Sequence, residues 1–187
     1  MKKLLAVLSA TAALAMTGCQ TMTEPTRVTT SLKTVEYNSI ANRFMARPTY
    51  VSTQSENGGT EKVLLVEMDT YGSNQYGSFL RFSSFQVDQY ISFIDKYFEW
   101  EELAIERQDA FTKEIGSAPS WHSGNLKFEF HSGNSTNHYL SISFCSSMIC
   151  LEGEHYYDKD NANKLKSLLK GLSDGSIQET NFDSVYK

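Results

Sequence analysis

The chain has 187 residues with 17 Lys and Arg against 22 Asp and Glu, a formal charge of −5, and 40% of its residues are hydrophobic. An acidic chain is repelled by a polyphosphate backbone and gains nothing from anionic lipid, which excludes a nucleic-acid-binding role. The length supports one domain with a real core and leaves little room for a second.

At the start, Lys2 and Lys3 precede a mainly apolar run from Leu4 to Met16, too short to span a bilayer comfortably. The run ends in Met16-Thr17-Gly18-Cys19. These residues resemble a bacterial lipobox, with Met where Leu is usual, and small residues at 17 and 18 leave the bond before Cys19 open to a peptidase. The resemblance implies a signal peptide over 1–18. It also implies a diacylglycerol on the Cys19 sulfur and an acyl chain, such as palmitate, on the new amino group. Each buried CH₂ contributes about 0.8 kcal/mol, so several chains on one residue anchor firmly. Gln20 resembles an outer-membrane sorting context, in which an Asp would favour the inner membrane. The resemblance stops there.

Residues 19–36 are polar, Thr-rich and carry Pro25, which predicts a flexible tether holding an α+β domain over 37–172 off the membrane. Tyr37 to Met45 has Ile40, Phe44 and Met45 at near-helical spacing, a short helix that Arg47-Pro48 would stop. Three β-prone runs follow: Thr49 to Gln54, Val63 to Met68 and Ser78 to Phe82. Glu56-Asn57-Gly58-Gly59 and the looser Tyr71 to Gly77 segment supply the turns.

From Val87 to Ile115 the apolar period becomes helical. Val87, Tyr90, Ile91, Ile94, Tyr97, Phe98, Ala104 and Ile105 share one face. Ser83 with Gln86 reads as a capping box and Gly116 as the C-cap, giving a helix of roughly 40 Å. Ile94, Phe98 and Ile105 are expected at the centre of the buried face. Beyond it, Leu126, Phe128 and Phe130 alternate with polar residues, as do Leu140, Ile142 and Phe144, which predicts two half-buried strands. A third strand over Met148 to Glu152 completes a hairpin. Asp158 or Asp160 caps a last helix with Leu165, Leu168 and Leu169 inward and Gly171 at its end; 173–187 reads as a loose tail in which Phe182 and Tyr186 could dock. The expected fold is therefore α+β, a single antiparallel and possibly strongly curved sheet of about six strands. Its order is βββ-α-βββ-α, packed on the long helix and the C-terminal helix.

Few residues suggest chemistry. With Cys19 lipidated, Cys145 and Cys150 remain; in an exported chain, at the mouth of one hairpin, they point to a disulfide. A four-residue loop sets them opposite each other, whereas a two-residue Ser146-Ser147 loop sets Cys145 opposite Met148. Strand phase sends His131 and His138 to opposite faces, no Cys/His spacing suggests a metal, and the histidines read as exposed strand-end residues. Asp95, Glu99, Glu102 and Glu106 form an acidic stripe on the long helix, a solvated face or a docking face for a basic partner. Glu101 falls inside the apolar face and needs a partner such as Arg81 or Lys127. No Gly-x-Ser-x-Gly, P-loop or dinucleotide fingerprint occurs, so no catalytic residue and no cofactor is assigned. The sequence reads best as a non-enzymatic lipoprotein making protein contacts at the periplasmic face of the outer membrane. The alternative is a small-molecule or lipid-binding module with an aromatic-lined pocket between sheet and long helix.

Overall fold

The computed structural model describes residues 22–56, 59–69, 78–147, 149–150 and 153–180. Its strands are β1 (Thr26–Arg27), β2 (Thr34–Asn38), β3 (Arg43–Arg47), β4 (Thr49–Ser55), β5 (Lys62–Met68), β6 (Ser78–Ser83), β7 (Thr112–Pro119), β8 (Asn125–Ser132), β9 (His138–Ser146), β10 (Ile149–Cys150) and β11 (His155–Tyr157). The helices are α1 (Val87–Arg107) and α2 (Lys159–Asp174). The α+β class matches the expectation. The single sheet does not, because the strands divide between two antiparallel sheets.

The smaller sheet has the order β1-β4-β5-β6, and β4 to β6 are the expected meander. The larger has the order β3-β2-β11-β9-β8-β7, with β10 paired to the end of β9. Pro48 stands between β3 and β4 and passes the chain from one sheet to the other. Tyr37 to Met45, expected as helix, is instead the β2–β3 hairpin. The Asn38 carboxamide oxygen accepts from the backbone of Ile40 and Ala41, and Asn42 takes the left-handed conformation at φ 52°. Turn chemistry at two asparagines outweighs the weak helical period.

The expected tether also folds. β1 pairs with β4, and Val28 and Leu32 are buried in the core. The described part of the tail, to Thr180, returns onto this segment: Glu179 bridges Val28, and Thr180 N–H donates to the Arg27 carbonyl. Phe182 and Tyr186 lie outside the described residues.

The long helix is shorter than its period suggested. It starts at Val87 as expected, but not through a Ser83–Gln86 capping box: the Ser83 hydroxyl accepts from Phe85 N–H and caps the short turn before the helix, and Gln86 makes no side-chain cap bond. It ends at Gln108, whose left-handed N–H closes on the Ala104 and Ile105 carbonyls. Of the remainder of the predicted helix, residues 112–115 open β7, which pairs with β8. Gly116 is therefore no C-cap. It sits at a bulge in β7, where a Cβ would lie 2.5 Å from the Phe93 ring. α2 likewise runs past Gly171 and is closed by Gly175 at φ 77°, while Ile177 folds back to donate to the Gly171 carbonyl.

One core joins both sheets and both helices. Tyr90 shows how: its ring is 5.3 Å from Phe82 of the smaller sheet and 5.9 Å from Phe128 of the larger. Ile94 is fully buried as expected, Phe98 only partly, and Ile105 is 48% exposed. The buried line runs through Val87, Tyr90, Ile94, Tyr97, Glu101 and Ala104, which leaves Ile105 on the flank of the last turn.

Candidate functional site

Glu101, His138 and His155 are buried polar groups between the larger sheet and the helices. Glu101 stands among apolar residues, as the helical period required, but its cation is Lys159, with Nζ 2.8 Å from Oε2. Arg81 cannot serve, because it alternates with Leu80 and Phe82 and so points away from α1, with its guanidinium 4.2 Å from the Phe79 ring. Lys127 is also engaged elsewhere, 2.7 Å from Glu129. The first turn of α2 lies against α1 and brings Lys159 to the carboxylate, which holds that ammonium above its usual range. The Tyr97 hydroxyl stands between Glu101 Oε1 (3.4 Å) and the His138 carbonyl (3.2 Å). Burial, then the Glu101 charge, pushes its pKa far up.

Two histidines expected at exposed strand ends are interior. His138 stacks on Phe130 with Nδ1 2.8 Å from the Ser132 hydroxyl, and burial draws its pKa down. His131 lies on the opposite face, as strand phase required. His155 is fully buried, with Nε2 3.0 Å from Ser78 Oγ and Nδ1 3.3 Å from the Tyr157 hydroxyl. A serine beside an imidazole is the contact nucleophilic catalysis uses. Here, however, the single Ser78 hydroxyl proton goes to the Gly153 carbonyl. His155 must then donate from Nε2 and accept from Tyr157 at Nδ1, so no basic lone pair faces Ser78. Burial lowers the His155 pKa to about 3. Among the described residues no three His, Cys, Asp or Glu side chains gather as a metal site.

Cys145 and Cys150 are bonded, with S–S 1.99 Å. They are opposed in register, and Ile149 opposes Ser146. Ser147 takes the left-handed conformation at φ 58°. The third strand is short; Met148, Leu151 and Glu152 lie outside the described residues.

The acidic stripe is partly neutralised within the fold. Asp95 pairs with Lys166 of α2, and Glu99 lies 2.8 Å from Lys96; Glu102 and Glu106 are exposed. The space beneath α1, expected as an aromatic-lined pocket in the alternative reading, is filled by Tyr90, Phe93, Tyr97, Trp100, Phe128 and Phe130 in mutual contact. A half-open groove of about 370 Å³ lies elsewhere, between α2, Val28–Thr30 and Ser176–Gln178.

The outer face of the larger sheet is the most distinctive surface. Among the described residues no helix covers it, yet it carries a continuous aromatic cluster across five strands. Phe44 of β3 is its hub, with ring centroids 5.4 Å from Tyr37, 5.9 Å from His131, 4.3 Å from Tyr139 and 5.1 Å from Tyr156. Except for Tyr37, 48% exposed, these rings are half-buried, and the Lys127–Glu129 pair borders them. Tyr156 donates to Glu154; burial, then that carboxylate, raises its pKa. Reading the β2–β3 hairpin as helix hid this cluster. The signal was present in Asn38 and Asn42 between two flanking aromatics, and in Tyr139 at odd parity to Leu140 and Ile142.

No protein-family description matches this chain, and neither a curated protein nor a solved structure does so. Its class therefore rests on its own architecture, an α+β domain of two antiparallel sheets and two helices. Among the described residues no helix is long and apolar enough to cross a membrane.

Proposed function

We propose that the chain is an envelope lipoprotein, anchored through Cys19 at the periplasmic face of the outer membrane, and that it works as a non-enzymatic protein-interaction or structural module. Met16 to Cys19 support the anchor. The observation that carries the second half is the aromatic cluster on the uncovered face of the larger sheet, set against a filled interior beneath α1. Half-exposed aromatics with polar tips are what protein interfaces use as anchors, because large apolar area comes with few rotatable bonds.

The test is crosslinked capture from intact envelope, with mass spectrometry of proteins and copurified lipids. Tyr37→Ser with Phe44→Ser should abolish capture while a folded melting transition remains. Glu99→Lys with Glu102→Lys should matter less, since Glu99 already has a cation within the fold. Capture that survives loss of the aromatics but not loss of the acids would return the docking site to α1. Cys19→Ser should leave an unprocessed or aqueous form; unchanged detergent partitioning at mature size would remove the lipoprotein reading. The groove beside α2 favours a second reading, since its volume is in the range of small-ligand sites. A stoichiometric copurified small molecule or lipid would support it.

A further inference from the structure

We infer that the end of the smaller sheet bearing Met22, Ser84 and Phe85 lies against the bilayer that holds the Cys19 acyl chains, with Phe85 entering the interface; this rests on the lipid-anchored reading above. The first observation is how Met22 and Thr23 are held. Met22 already bridges Glu56. Thr23 N–H donates to the Ser55 carbonyl, and the Thr23 hydroxyl accepts from Ser55 N–H. Only three peptide links separate Met22 from Cys19. At 3.3–3.6 Å per residue they reach at most about 11 Å. The anchor therefore acts on one particular end of the sheet, which a tether running to residue 36 would not impose.

The second observation is what else occupies that end. β4 finishes there, β5 begins there and β6 finishes there, tied by Glu56 N–H to the Glu61 carbonyl and by Lys62 N–H to the Ser84 hydroxyl. The chain then turns through Ser84–Gln86 into α1. Phe85 stands on this turn and is 66% exposed, more than any other aromatic among the described residues. Its backbone N–H is held by Ser83, so the ring is presented by an ordered turn. No packing role inside the fold accounts for it. Aromatic rings favour the membrane–water interface, and a short link to the anchor makes that contact intramolecular.

The charges around it choose the kind of membrane. Glu24, Glu56, Glu61 and Asp88 border this end against Lys62. The contact must then be made by the apolar ring on a zwitterionic surface, with no help from anionic headgroups.

The test uses the full lipidated chain in vesicles of zwitterionic phospholipid, with p-benzoylphenylalanine replacing either Phe85 or Ile40. Ile40 is 97% exposed in the β2–β3 turn, which β3 and β4 in series separate from Glu56. Irradiation should give phospholipid adducts at position 85 and few at position 40. Inserting ten Gly and Ser residues after Gln20 should lower the adduct yield at 85 several-fold while the protein still sediments with the vesicles. Adducts at 85 no higher than at 40 would overturn the inference, as would protein adducts at 85 in intact envelope in place of lipid ones. The mass of the Cys19 peptide separates the failures. An unacylated Cys19 removes both this inference and the lipoprotein reading, whereas an acylated Cys19 without adducts at 85 removes this inference alone.

Discussion

The two faces of the larger sheet draw on the same residue types and sit in different surroundings. Inward, Phe128, Phe130, Ile142 and Tyr157 are wholly buried beneath α1 and α2. Outward, Phe44 packs just as closely on Tyr139 and on Tyr156, but all three stay half-buried, with Lys127 and Glu129 beside them. Aromatic content therefore does not separate core from surface here. Parity along each strand does, because a helix covers one face and nothing described covers the other. Burial of the first face stabilises the fold; the second keeps aromatic area exposed, as the proposed interaction role requires.

The largest expected effect tests that contrast directly. Phe128→Ala should destabilise by about 3–5 kcal/mol and Phe44→Ala by about 1 kcal/mol in urea titration. Equal losses would mean the outer face is as structural as the inner one.

Histidines sharpen the same comparison. His155 on the inner face has a pKa of about 3, depressed by burial from an ordinary value of 6.5. Between those values the unfolded chain binds a proton that the folded chain refuses, so this contribution is complete above pH 6.5 and is lost as pH falls toward 3. By pH 4.5 the loss should be about 2–3 kcal/mol. His155→Gln should remove most of that slope. His131, on the outer face, is lowered by burial but opposed by Glu154 and Glu129, and replacing it should change the slope far less.

The disulfide closes a small ring on the outer face, so replacing both Cys145 and Cys150 by Ser should destabilise by about 2 kcal/mol or less. Freely alkylated thiols in protein purified without reductant would show that the bond does not form. Smallest of all, Glu102→Ala on the solvent side of α1 should shift stability by no more than about 0.5 kcal/mol, and a larger loss would mean that side has a partner within the fold.

Local pattern by itself determined the elements whose residues alternate or repeat without competition. The meander of β4 to β6, the pair β8 and β9, the starting position of α1 and an Asp cap on α2, left between Asp158 and Asp160 and found at Asp158, were readable in this way. So was the placement of His131 and His138 on opposite faces, since a period of two is a property of the backbone. Tertiary structure decided the rest. Residues 112–115 continue the stretch read as helix, and only pairing with β8 makes them the start of a strand. The Thr-rich segment from Met22 lacks apolar period and is ordered because β4 offers an edge and the core accepts Val28 and Leu32. Glu101 was legible as a buried carboxylate, but its partner was not. Lys159 lies 58 positions away in the chain and reaches Glu101 only because α2 packs across α1. The aromatic cluster was hidden for the same reason: its rings come from β2, β3, β8, β9 and β11, and only strand order makes them neighbours.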